Sequence, residues 1–87
     1  MGSSITRPDL RPTATAAVVV GDNLKVALSD GRELLVPISW FDWLAAASEA
    51  KQADLTIIEG GLGIWWKQLD EGVSVPGLLG LPHHVDP

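Results

Sequence analysis

The stretch TATAAVVVGDNLKVALSDGRELLVPIS, residues 13–39, alternates apolar with polar positions and is broken twice by glycine-bearing clusters. A period of two belongs to strands that bury one face, so the stretch predicts three antiparallel strands joined by two tight turns. With Gly21-Asp22-Asn23 as a three-residue loop, Val20 faces Leu24 and Val18 faces Val26. With Ser29-Asp30-Gly31 as the next loop, Gly31 takes the left-handed position that closes such a turn. Leu28 then faces Arg32, Val26 faces Leu34 and Leu24 faces Val36. One face therefore carries Val18, Val20, Leu24, Val26, Leu28, Leu34 and Val36. The other carries Val19, Lys25, Ala27, Ser29, Glu33 and Leu35. A two-residue Asp30-Gly31 loop would set Leu28 against Glu33 and move every side chain of the strand to the wrong face.

Pro37 has no N–H to give a ladder, so the third strand ends there or lies at an edge. Ser39 follows as a helix N-cap, with Asp42 three residues on as a short capping box. The segment from Trp40 to Ala47 then makes about two helical turns in which only Asp42 is polar, and a helix apolar nearly all round is buried on several sides. Trp40 and Phe41 are thus expected in the core, packed on the sheet face named above. Trp43 is the tryptophan left over. Ser48-Glu49 opens another helical turn that runs to about Ala53. DLTIIEGG reads as a strand, and IWWK pairs back on it after the turn Gly60-Gly61-Leu62-Gly63. Ile64 and Trp66 share one face of that strand, and Trp65 points the other way. Ser74 caps a last helical turn through Leu79, with Pro76 in the tolerated first turn. The fold class is α+β: an antiparallel three-stranded meander plus a second short hairpin, covered by one or two short helices. The expected organisation is a flexible lead-in over 1–12, one domain over 13–81 and a loose tail over 82–87.

A chain of 87 residues buries only roughly 60% of its unfolded surface, so its stability margin is thin. It has no cysteine, hence no disulfide and no thiolate metal site, which fits a reducing, cytoplasmic setting. No apolar run approaches the about 20 residues that span a bilayer, and the start lacks the pattern of a secretory signal. The net charge is -5, from six Lys+Arg against eleven Asp+Glu. Arg7, Arg11, Lys25, Arg32, Lys51 and Lys67 are too scattered to form a phosphate-binding stripe, which argues against direct nucleic-acid binding. An acidic domain suits a basic partner.

Several residue groups invite a chemical reading. Asp70 and Glu71 form the most conspicuous carboxylate pair, and paired acids serve as general acid and base when their environments separate their pKa values. Neighbours in a loop rarely converge on one point, so a turn role, accepting backbone N–H bonds, is the simpler assignment. His83 and His84, with Asp86 beyond, have no third ligand at suitable spacing, and no metal or other cofactor is expected. Gly60-Gly61-Leu62-Gly63 lacks the following helix and the Lys of a phosphate loop; Gly61 or Gly63 supplies positive φ instead. Ser39, Ser48 and Ser74 each sit where a cap is expected, without a nucleophile elbow around them.

Five motifs, DGR at 30–32, VPISWF at 36–41, LAAAS at 44–48, GGLGIWW at 60–66 and LDEGVSVPGLL at 69–79, resemble in order and spacing the bacterial domain-of-unknown-function family 2442. The resemblance covers about residues 18–80 and marks Asp30, Gly31, Pro37, Ser39, Trp40, Phe41, Trp66, Asp70 and Glu71 as the shared structural motif. It implies a compact α+β unit, found alone or ahead of a helix-turn-helix segment. Lone members are often encoded beside a small partner protein in a manner like toxin and antitoxin pairs. The family has no established catalytic residues to transfer. Where members often have His before Trp, this chain has Trp65. Where they have Pro-Arg after Trp-Phe, it has Asp42-Trp43, and where they have Asp-Glu-Asp it has Asp70-Glu71-Gly72. Trp43 and Trp65 are therefore additions and the candidate partner-binding residues, since tryptophan is enriched at binding hot spots. The reading is a non-enzymatic protein-interaction module that binds a partner protein through a sheet edge or tryptophan patch, as an antitoxin-like or an accessory or inhibitor protein; self-association as a homodimer uses the same logic. The alternative is a small-ligand-binding or enzymatic domain centred on Asp70 and Glu71, which needs a concave pocket with convergent polar groups.

Overall fold

In a computed structural model the described residues are 12–80; the expected lead-in and tail, with His83, His84 and Asp86, lie outside them apart from Pro12, which is already buried. The alternating stretch forms β1 (Ala14–Val20), β2 (Asn23–Leu28) and β3 (Glu33–Pro37), an antiparallel sheet in the order β1-β2-β3. A 3₁₀ turn (Ile38–Trp40), α1 (Asp42–Ala45) and α2 (Glu49–Ala53) lead to a second antiparallel sheet. That sheet is β4 (Leu55–Ile58), β5 (Gly63–Trp66) and β6 (Glu71–Ser74), in the order β4-β5-β6, and α3 (Val75–Leu78) follows it. The fold is thus α+β, and the second hairpin extends into a three-stranded meander of its own.

The second turn of the first sheet follows the expected register. Val26 pairs with Leu34 and Leu24 with Val36, Leu28 N–H donates to the Arg32 carbonyl at 2.8 Å, and Gly31 closes the turn with φ 94°. The Asp30 carboxylate, with its side chain only 1% exposed, holds the turn from inside. It accepts from Arg32 Nε at 2.9 Å and from the Arg32 backbone N–H at 3.2 Å, and pairs with Arg32 Nη2 at 2.8 Å.

The first turn corrects the expected register. Val20 pairs with Asn23, Val19 with Leu24 and Ala17 with Val26. The loop is the two-residue Gly21-Asp22, with Gly21 at φ 59° in the position that a primed hairpin turn reserves for glycine. Asn23 is taken into β2, and the one-residue change reverses the faces of β1. Ala17 and Val19 pack against the core, while Val18 and Val20 stand 48% and 56% exposed on the outer face. A bulge between Ala14 and Ala16 then turns Ala14 back inward.

The single helix expected from Trp40, capped by Ser39, is also corrected. Ile38 N–H donates to Asp22 O at 2.9 Å, prolonging the β2–β3 register by one pair, and the Ile38 side chain is buried. The chain therefore turns at once into the 3₁₀ turn, with Ser39 in its middle and no side-chain cap. It extends at Phe41 (φ -124°, ψ 100°) before α1 begins at Asp42. The break rotates the aromatic residues: Trp40, expected in the core, is 66% exposed, and Trp43 packs against the core instead. Ser48 and Ser74 do cap, accepting from Lys51 N–H at 3.3 Å and Gly77 N–H at 3.0 Å.

One core joins the two sheets. Leu24, Val26, Leu28 and Val36 from the first meet Ile64 and Trp66 from the second, with Leu44 of α1 and Val75 of α3 filling between. The second sheet, rather than the aromatic helix, is thus the main cover of the first. Trp66 is fully buried, and its indole N–H donates to Gln52 O at 2.9 Å. The buried Gln52 side chain in turn donates to Leu44 O at 2.9 Å and Ala47 O at 3.2 Å, satisfying the carbonyl end of α1.

Candidate interaction surface

The aromatic residues form a ramp from solvent to core. Trp40 stands exposed at the end of the 3₁₀ turn, Phe41 and Trp43 are half-buried, and Trp66 is enclosed. The rings of Phe41 and Trp43 lie 5.7 Å apart, and Trp43 meets Trp66 edge to face at 5.3 Å, a favoured aromatic geometry. Trp43 is therefore mostly a packing residue, and Trp40 is the ring that projects.

Trp65 lies on the other side of β5 from Trp66, as the alternation requires. Its cross-strand partner is Gly72 of β6. A Cβ on Gly72 would come within 2.8 Å of the Trp65 ring and 2.8 Å of Ile64 O, so the indole lies over the bare glycine and is half-buried there. Trp65 and Gly72 are thus one pair in space, with a large ring filling the place that an absent side chain leaves.

Two clefts flank the edge strand β6 and share Gly72, Val73 and Ser74. One, of 260 Å³, is walled by Trp40, Phe41 and Leu78. The other, of 230 Å³, is walled by Ile58, Leu62 and Trp65, with Glu59 at its rim. Both are open and mostly apolar. Further clefts hold 240 Å³ beside α2 and 170 Å³ on the outer face of the first sheet. Each is below the ~300 Å³ at which pockets begin to enclose a small molecule.

Asp70 and Glu71 are both exposed. The turn before β6 closes through its backbone, Leu69 N–H to Trp66 O at 3.1 Å and Asp70 N–H to Lys67 O at 3.3 Å. Asp70 contributes a left-handed backbone, φ 54°, a conformation that Asp tolerates better than most residues. The two carboxylates leave on different elements, turn and strand, and neither has an ion-pair partner among the described residues. Among the described residues no group of three or more His, Cys, Asp or Glu is placed to hold a metal ion, and no helix is long and apolar enough to cross a membrane. The Gly60-Gly61 turn has positive φ at both glycines, 65° and 97°. Gly61 also abuts β1: a Cβ there would lie 2.7 Å from Ala14 O and 2.7 Å from Thr13 Cβ.

Sequence reasoning placed Trp65 and Trp66 on their correct faces and missed Trp40. The signal that could have found Trp40 is Pro37-Ile38: Ile38 continues the inward alternation of Leu34 and Val36, and a 3₁₀ turn starting there, at three residues per turn, carries Trp40 about 240° round from Ile38 and away from the core.

Comparison with known proteins agrees with this geometry. The sequence model of one family, "Protein of unknown function (DUF2442)", matches residues 14–83. Among solved structures the chain is similar to a protein of unknown function from Rhodospirillum rubrum ATCC 11170. The two are 27% identical with a TM-score of 0.73, over 86% of this chain and 93% of the other. No curated protein matches the chain.

Proposed function

The chain belongs to the DUF2442 family of proteins of unknown function, and from that premise we propose that it is a non-enzymatic protein-interaction module whose partner docks in the cleft beside Trp40. The observation that carries this reading is the 66% exposure of Trp40 at the wall of an apolar cleft. A large ring left in water beside apolar surface forgoes burial worth roughly 25 cal/mol per Å², and a partner that covers it recovers that free energy. Trp40 thus takes the anchor role that the sequence suggested for Trp43, and Trp65 in the neighbouring cleft is the second anchor. Glu59 lines one cleft, and the exposed Asp42, Asp70 and Glu71 stand one or two residues along the chain from the cleft residues Phe41 and Gly72, so a basic partner is electrostatically matched, and its encounter is faster at low salt. An antitoxin-like role, in which the module neutralises a small basic protein encoded beside it, is the form that these features support.

The test is co-purification with that neighbouring protein followed by titration of variants. Trp40→Ala lowers affinity by about 30-fold, the factor for a hot-spot loss of about 2 kcal/mol, while the melting temperature moves by no more than about 2–4 °C, the shift for a surface loss of about 0.5 kcal/mol. Equal affinity of Trp40→Ala and the parent chain overturns the proposal.

A further inference from the structure

β3 is an end strand of the first sheet. Its ladder to β2 bonds at Leu28–Arg32 before the strand and at Asp22–Ile38 beyond it, the same register as Val26–Leu34 and Leu24–Val36. Bonded and unbonded pairs alternate in an antiparallel ladder. Leu34 and Val36 therefore turn their N–H and C=O groups toward β2. Glu33 and Leu35 turn theirs outward, and Pro37 adds an outward C=O alone. Among the described residues no strand pairs with this side. Leu35, at its centre, is 65% exposed, on the outer face that also carries Val18 and Val20. Edges are ordinarily blunted by bulges, central prolines or charges; β3 has none at its centre, only Glu33 and Pro37 at its two ends.

We infer that β3 pairs with β3 of a second copy of this chain, antiparallel about a two-fold axis through Leu35. The strand is complementary to itself in that register. Leu35 meets Leu35 as a bonded pair, each N–H donating to the other's carbonyl. Glu33 meets Pro37, where its N–H donates to the proline carbonyl, and the missing proline N–H falls at the outermost position. The two Glu33 side chains are then four residues apart, about 13 Å at roughly 3.3 Å per residue, beyond the ~8 Å screening length at physiological salt. Sliding by two residues would set Leu35 beside Glu33 and bring the glutamates to about 7 Å. Within each copy Lys25 lies 3.9 Å from Glu33 and offsets its charge at the seam. The pairing fuses two sheets into one of six strands and joins their apolar outer faces. It leaves the Trp40 cleft untouched, so this inference is independent of the partner proposed above.

The absence of cysteine allows a direct trap. Cα atoms of a bonded antiparallel pair lie about 5.5 Å apart, within the roughly 4.4–6.8 Å that a disulfide bridges. Under mild oxidation Leu35→Cys gives a cross-linked species of twice the 9.2 kDa chain mass. Val20→Cys, exposed on the same face but away from the seam, stays uncross-linked. In sedimentation equilibrium from micromolar to millimolar concentration the parent chain rises toward twice 9.2 kDa. Leu35→Lys, which sets like charges face to face, remains at the single mass with unchanged circular dichroism. Added salt strengthens the association, because each copy carries -5, whereas a basic partner would be weakened by it. A parent chain that stays at 9.2 kDa throughout, equal cross-linking at Val20→Cys, or doubling that survives in Leu35→Lys overturns the inference. So does capture of another protein's strand by a chain that never pairs with itself.

Discussion

Trp40 and Trp43, two residues of one type three positions apart, carry opposite duties. Trp43 packs on Trp66 and the core, so Trp43→Ala is expected to cost about 2–3 kcal/mol, below the roughly 3–5 of a fully buried tryptophan. Trp40→Ala is expected to stay within about 0.5 kcal/mol, as for other surface positions. Urea midpoints at constant m separate the two, and a larger loss at Trp40 would refute the assignment. Gln52 is a second residue whose duty is set by its surroundings. Gln52→Leu keeps the volume but strips the donors from Leu44 O and Ala47 O, and a loss of about 1–3 kcal/mol is expected for the stranded carbonyls. Urea denaturation of Gln52→Leu checks it, and a loss below about 0.5 kcal/mol, as at an ordinary surface position, would show that the two carbonyls find other donors. Neither duty could be read from residue type: the alternation marked Trp66 as inward, but nothing local names its hydrogen-bond acceptor, which is contributed fourteen residues earlier.

At the scale of elements, legibility followed turn chemistry. Ser29-Asp30-Gly31 was readable because glycine in the left-handed position and a carboxylate that binds its own turn act within four residues. Gly21-Asp22-Asn23 offered two loop lengths, and the choice between them decided which valines of β1 were buried. β6 went unread because Gly72 interrupts its short alternation, and glycine is depleted in strands. In the folded chain that glycine is what the Trp65 ring lies over. The glycines give a graded prediction. Gly31→Ala meets only the strain of a positive φ, about 1–2 kcal/mol, since nothing lies within 4 Å of a Cβ there. Gly61→Ala adds collision with the backbone of β1 and is expected to be the more destabilising by at least 1 kcal/mol, measured by thermal melts of the two variants. Equal losses would mean that β1 yields easily at Ala14.

At the scale of the whole molecule, the single core shared by the two sheets predicts one cooperative transition. Tryptophan fluorescence, which changes as Trp43 and Trp66 leave the core, and far-ultraviolet dichroism are expected to coincide on melting. Separate midpoints would show that the sheets fold independently. Trp66→Ala is expected to leave the chain largely unfolded at 25 °C, because a cavity penalty of about 3–5 kcal/mol approaches the whole stability of so small a domain. The sequence by itself determined the class of fold, most of the strands, the second turn, two helix caps and the faces of β5, since each depends on period, backbone freedom or a donor and acceptor within a few residues. Tertiary structure alone decided which face of β1 is buried, which tryptophan reaches water, and that a second sheet rather than a helix closes the core. Those outcomes turn on one-residue choices of loop length and helix start that are nearly equal locally, and packing against distant elements resolves them.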